Sequence, residues 1–145
     1  MRRYCYAALM IIMWFQINPF SISAGPPEMP AKITGMLTIN GRNLTDSTAI
    51  GFNVYVTRLD GTSYSPSAED TDGLTDNFYS LYIPFSGTVI ATQGEQAIIH
   101  VSKSGVEATI TSPAGGVLTI GESGSNTQIN IQADIDLQPG LKIIF

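Results

Sequence analysis

The feature that most constrains this chain is a period of two. Ile33, Gly35, Leu37 and Ile39 alternate with Thr34, Met36 and Thr38, and Ile50, Phe52, Val54 and Val56 face away from Asn53, Tyr55 and Thr57. Successive strand side chains point to opposite faces, so each run predicts a strand with one apolar side. Tyr79, Leu81 and Ile83 repeat the pattern, as do Ala97, Ile99 and Val101, and Ile129, Ile131 and Ala133. Val106 to Thr111 and Val117 to Ile120 read as further strands. Apolar residues nowhere recur at helical spacing over the length a helix needs. Asn40-Gly41, Asp60-Gly61 and Ser104-Gly105 are tight-turn pairs, and Pro84 and Pro113-Ala114-Gly115-Gly116 end strands. The stretch from Ser65 to Asn77 reads as the longest polar loop. Two sheets, each turning one apolar face inward, bury such stripes. The expected fold is all-β: one antiparallel two-sheet β-sandwich with Greek-key connections.

The start of the chain does not follow this pattern. Arg2 and Arg3 precede an uncharged, mostly apolar run from Tyr4 to Phe15, shorter than the ~20 residues of a membrane span. Asn18-Pro19 breaks it, and Ser21 and Ser23 supply small residues around a cleavage point. Residues 1–23 are expected to be a cleaved signal peptide, 24–31 a flexible mature start and 32–136 the sandwich. Residues 137–145 form a tail in which Leu141, Ile143 and Phe145 alternate as in an edge strand. The destination is secretion, the periplasm or the cell surface, with no membrane contact after cleavage. Cys5 and Trp14 leave with the signal, so packing and strand pairing must hold the domain without disulfides.

Charge excludes one class of partner. The mature chain has five basic side chains (Lys32, Arg42, Arg58, Lys103, Lys142) against twelve acidic ones, a net of −7. Phosphate backbones repel such a surface, so nucleic acid is not expected as a partner.

The order of elements resembles the transthyretin-like, carboxypeptidase-regulatory-like β-sandwich modules of secreted and surface proteins, an immunoglobulin/prealbumin-like architecture. The resemblance rests on Ile33-Thr34-Gly35-Met36-Leu37-Thr38-Ile39-Asn40-Gly41 and Gly51-Phe52-Asn53-Val54-Tyr55-Val56. Thr71-Asp72-Gly73 leading to Tyr79-Ser80-Leu81-Tyr82-Ile83-Pro84 completes it. In those modules the Asp-Gly turn sits directly before the Tyr strand, whereas here Leu74 to Phe78 intervene. The resemblance implies a non-catalytic module that spaces, stabilises or attaches.

Few residues offer chemistry. His100 is the single histidine, on the outward side of its strand, and the mature chain lacks cysteine. A nucleophile elbow of the Gly-x-Ser-x-Gly type is absent. No enzyme is expected. Asp70, Asp72 and Asp76 around Gly73 place oxygen donors at the alternate positions that Ca²⁺ loops use, and Ca²⁺ is the one cofactor considered. Aligned on Gly73, the flanking ligand positions fall on Ala68 and Tyr79, so an ordinary solvated acidic turn competes with that reading. Tyr55, Tyr64 and Tyr82, with outward Phe78 nearby, are the candidates for stacking on sugar rings. Asn43-Leu44-Thr45 is a glycosylation acceptor wherever the host uses such sites. The expected function is a structural or adhesive surface module with a protein or polysaccharide partner; the alternative is a carbohydrate-binding module assisted by calcium.

Overall fold

A computed structural model describes residues 28–65 and 73–137. The alternation becomes ladders. Strand β1 (Ala31–Ile39) buries Ala31, Ile33, Leu37 and Ile39 and turns Lys32, Met36 and Thr38 the other way. Asn40 and Gly41 take φ of 50° and 73°, the twist that closes a two-residue hairpin, and return the chain to β2 (Arg42–Asn43). One helical turn, α1 (Asp46–Ala49), follows, capped by Thr45, whose hydroxyl meets that of Thr48 at 3.1 Å. Ile50 is left exposed ahead of β3 (Phe52–Arg58) and does not join its apolar face.

Next come β4 (Gly73–Thr75), β5 (Phe78–Ile83), β6 (Gln96–Lys103), β7 (Val106–Glu107), β8 (Thr109–Ser112), β9 (Val117–Thr119), β10 (Asn126–Gln128) and β11 (Ile131–Asp134). The larger sheet runs β4-β5-β1-β11-β8, with β2 and β10 also on β1. The smaller runs β3-β6-β7, with β9 also on β6. The two inner faces share one core, in which Tyr79, Ile33, Leu37, Leu81, Ile99, Val101 and Ile131 are almost wholly buried. The fold is the expected all-β two-sheet sandwich.

Three details depart from the sequence expectation. Pairing is antiparallel except where β1 meets β10 and β11 in parallel, because the chain passes through both sheets before returning in the direction of β1. The run from Val106 to Thr111 is two strands: Glu107 pairs with Ser102 in the smaller sheet, and Thr109 with Asp134 in the larger. The chain changes sheets at Ala108, whose N–H donates to Val101 O at 2.8 Å. The loop from Ser65 to Asn77 contains β4, so the residues between Gly73 and the Tyr strand form a hairpin, turned at Asp76-Asn77. The signal-peptide and tail expectations for residues 1–23 and 138–145, and residues 24–27 of the mature start, lie outside the described residues.

Candidate functional site

Strand parity builds a flat outer face on the larger sheet. Three rows lie side by side. On β5, Phe78, Ser80 and Tyr82 point outward; on β1, Lys32, Thr34, Met36 and Thr38; on β10 and β11, Asn126, Gln128 and Gln132, with Asn130 between. Register sets the neighbours: Lys32 opposes Tyr82, Thr34 opposes Ser80 and Met36 opposes Phe78, while Lys32 and Thr34 pair on their other side with Asn126 and Gln128. The Lys32 ammonium sits over the Tyr82 ring, 5.1 Å from its centroid. Met36 and Phe78 form an exposed apolar pair at 39% and 45%.

Hydrogen bonding orients the amides. Asn130 Oδ1 accepts from Met36 N–H at 3.0 Å, Asn126 Oδ1 from the Thr34 hydroxyl at 3.2 Å, and Asn43 Oδ1 from the Thr38 hydroxyl at 3.3 Å. In each case the protein uses the amide oxygen, which leaves the Nδ2 hydrogens as the outward group. Ser80 Oγ, between these rows, is buried beneath its neighbours and has no hydrogen-bond partner.

Tyr55 lies on the outer face of the other sheet. Its ring stacks on His100, its cross-strand partner, at 4.8 Å and 9°. Its hydroxyl donates to Glu107 Oε1 at 2.7 Å, which together with burial pushes its pKa up to about 12. His100 Nε2 is 2.9 Å from Thr57 Oγ1, and His100 Nδ1 is 3.9 Å from Glu107 Oε2. This has the outline of a nucleophile-base-acid set but not its geometry. The Thr57 hydroxyl also reaches Arg58 O at 3.0 Å, which competes with His100 for its one proton, and the 3.9 Å from Nδ1 to Glu107 exceeds a hydrogen bond.

Tyr64 belongs to a third place. Its hydroxyl donates to Glu95 Oε1 at 3.2 Å, and burial beside that carboxylate pushes its pKa up to about 12. Arg58 Nε lies 3.1 Å from the same oxygen as an ion pair without hydrogen-bond alignment, and its guanidinium is 5.7 Å from the Tyr64 centroid. Thr92 N–H donates to Glu95 Oε2 at 2.9 Å. An open depression of about 500 Å³ borders this cluster beside Leu59, Asp60 and Gln96. A second, of about 520 Å³, lies between Glu28, Phe85, Ile90, Thr92 and Glu122.

The three candidate tyrosines therefore occupy three separate surfaces. Asp76 is exposed at the tip of the β4–β5 hairpin with φ of 50°, while Asp70 and Asp72 lie outside the described residues. Among the described residues no three His, Cys, Asp or Glu side chains gather as metal ligands. Asn43, the glycosylation acceptor of the sequence, is exposed on β2.

No family model matches this chain, and no curated protein matches it. A solved structure with some likeness is a cysteine-to-alanine mutant of a pilus-presented adhesin, Spy0125 (Cpa), at 11% identity and a TM-score of 0.24. The match covers 79% of this chain and 29% of that one.

Alternation in the sequence gives Tyr82 and Phe78 their outward positions but does not by itself single out the amide row. Its signal was present: Asn126, Gln128, Asn130 and Gln132 fall at alternate residues. What the sequence does not show is that this row lies beside Lys32, Thr34 and Met36. Among the described residues no helix is long and apolar enough to cross a membrane.

Proposed function

We propose that this protein is a non-enzymatic, exported or surface-exposed β-sandwich module with an adhesive role, and that the outer face of its larger sheet is the adhesive surface. One observation carries this reading. On a face open to solvent, polar side chains are the default, yet Met36 and Phe78 oppose one another there, exposed and flanked by outward amide donors. An apolar centre with a polar surround is the composition of a binding surface. The arrangement around Thr57 and His100 supports the non-enzymatic part, because Arg58 O competes for the Thr57 proton and Glu107 is too far to hydrogen-bond the imidazole.

The test is retention of the purified domain on the surface fraction of its own host. Phe78→Ser is expected to cut retention at least tenfold while the melting curve stays within a few degrees. Equal retention of the variant and the parent would remove this face from the function. Repeating the assay in EDTA tests the calcium role proposed for Asp70, Asp72 and Asp76. Loss on chelation, restored by calcium, supports that role; unchanged retention removes it.

A further inference from the structure

We propose that the partner of this face is a neutral, extended polysaccharide lying along the strands, with Phe78 and Tyr82 as stacking residues and the Asn126, Gln128 and Asn130 row as hydrogen-bond donors. This rests on the adhesive reading above and names its ligand class.

Spacing comes first. Alternate residues of a strand are roughly 6.6 Å apart, and adjacent strands are about 4.8 Å apart. Phe78 and Tyr82, four residues apart on β5, are therefore about 13 Å apart along the strand. The amide row runs alongside them about 10 Å away, on the far side of β1. Between them β1 supplies Lys32, Thr34 and Met36, of which Thr34, short and 7% exposed, is the low point. The result is a shallow track with aromatic side chains on one flank and amides on the other. It extends along the strands over several residues and so suits a linear polymer better than a compact ligand.

Chemistry narrows the class. Sugar rings offer a C–H face to an aromatic side chain and a ring of hydroxyl and ether oxygens to donors. The track supplies both. Asn126 and Asn130 have their oxygens engaged by the Thr34 hydroxyl and the Met36 N–H, so they present N–H groups outward. Amides already oriented by the protein lose little freedom when they bind.

Charge narrows it again. Lys32 is the single basic side chain among these three rows, and its ammonium is placed over the Tyr82 ring. With one cation on the face and a net charge of −7 on the mature chain, an anionic polymer gains nothing here. A protein partner would be better served by a wider apolar centre than one Met-Phe pair.

The experiment is co-sedimentation of the domain with a panel of insoluble neutral polysaccharides, including cellulose, chitin and mannan, and with alginate as the anionic control. Saturable binding to one or more neutral polymers is expected, unchanged by 0.5 M salt on the order expected for an interaction without ion pairs, together with no binding to alginate. Phe78→Ala and Gln128→Ala should each weaken it at least fivefold. Asn53→Ala, on the outer face of the smaller sheet, should leave it unchanged. Circular dichroism melts show that each variant is folded. Absence of binding to every neutral polymer overturns the ligand class, as does binding that ignores Phe78 and Gln128. Retention on a surface fraction stripped of polysaccharide, still lost in Phe78→Ser, would overturn the glycan assignment while leaving the adhesive face standing.

Discussion

The Tyr79 hydroxyl reaches across β1 and donates to Ile129 O at 2.6 Å. In an unbroken parallel ladder that carbonyl would accept from Met36 N–H, just as Ile129 N–H donates to Thr34 O at 2.8 Å. Here Met36 N–H goes to Asn130 Oδ1 instead, and Tyr79 takes the released carbonyl. Gly35, opposite Tyr79 in register, makes this fit: a Cβ there would fall on Ile129 O. One small residue, one long phenol and one amide thus join β5, β1 and the segment between β10 and β11.

Gly35→Ala should be among the most damaging single changes, because the new methyl meets backbone rather than a side chain that can swing away. A loss of about 3 kcal/mol or more is expected. Tyr79→Phe keeps the packing but leaves Ile129 O without its donor, for a loss of about 1–2 kcal/mol. Urea titration of both variants checks the order, which a milder effect of Gly35→Ala would refute.

Alkaline pH should unfold the protein through its phenols. Burial holds the Tyr79 pKa well above the ordinary tyrosine value, and Tyr64 and Tyr55 stand at about 12. The unfolded chain loses these protons near pH 10, before the folded one does. The stabilisation is therefore complete below about pH 10 and is lost as pH rises from there through 12. Melting temperature followed from pH 8 to 12 should be level and then fall, and the fall should be shallower in Tyr79→Phe. Equal slopes would mean that Tyr79 is not the group responsible.

Glu95 ties three elements together through Arg58, Tyr64 and Thr92 N–H. Its side chain is 20% exposed, so solvent screens the pair only in part. Glu95→Ala should cost about 1–2 kcal/mol, a drop in Tm of roughly 4–8 °C. Differential scanning calorimetry reads this directly.

Tyr55 gives the contrast. Its hydrogen bond to Glu107 is exposed, and the ring contact with His100 survives removal of the hydroxyl. Tyr55→Phe should change stability by no more than about 0.5 kcal/mol. A larger loss in the same urea titration would show that the outer face of the smaller sheet carries more of the fold than its exposure implies.

Much of this molecule is determined by the sequence alone. Alternation assigns an inward and an outward side to nearly every strand, because side-chain direction in a strand is a local property of the backbone. The turns at Asn40-Gly41 and Ser104-Gly105 are local for the same reason: both pairs take the positive φ values their types allow. The outward placement of Phe78, Tyr82 and the amide row follows from parity alone. Pairing does not, since it joins residues far apart in the chain. Lys32 finds Asn126, and Tyr79 finds Ile129, only when the chain has passed through both sheets. β4 is a strand because β5 offers it an edge, and Val106 to Thr111 divides because two sheets compete for it. Tyr55, Tyr64 and Tyr82 look alike in the sequence; the tertiary structure sends each to a different surface, because a period of two names a face but not the sheet that owns it.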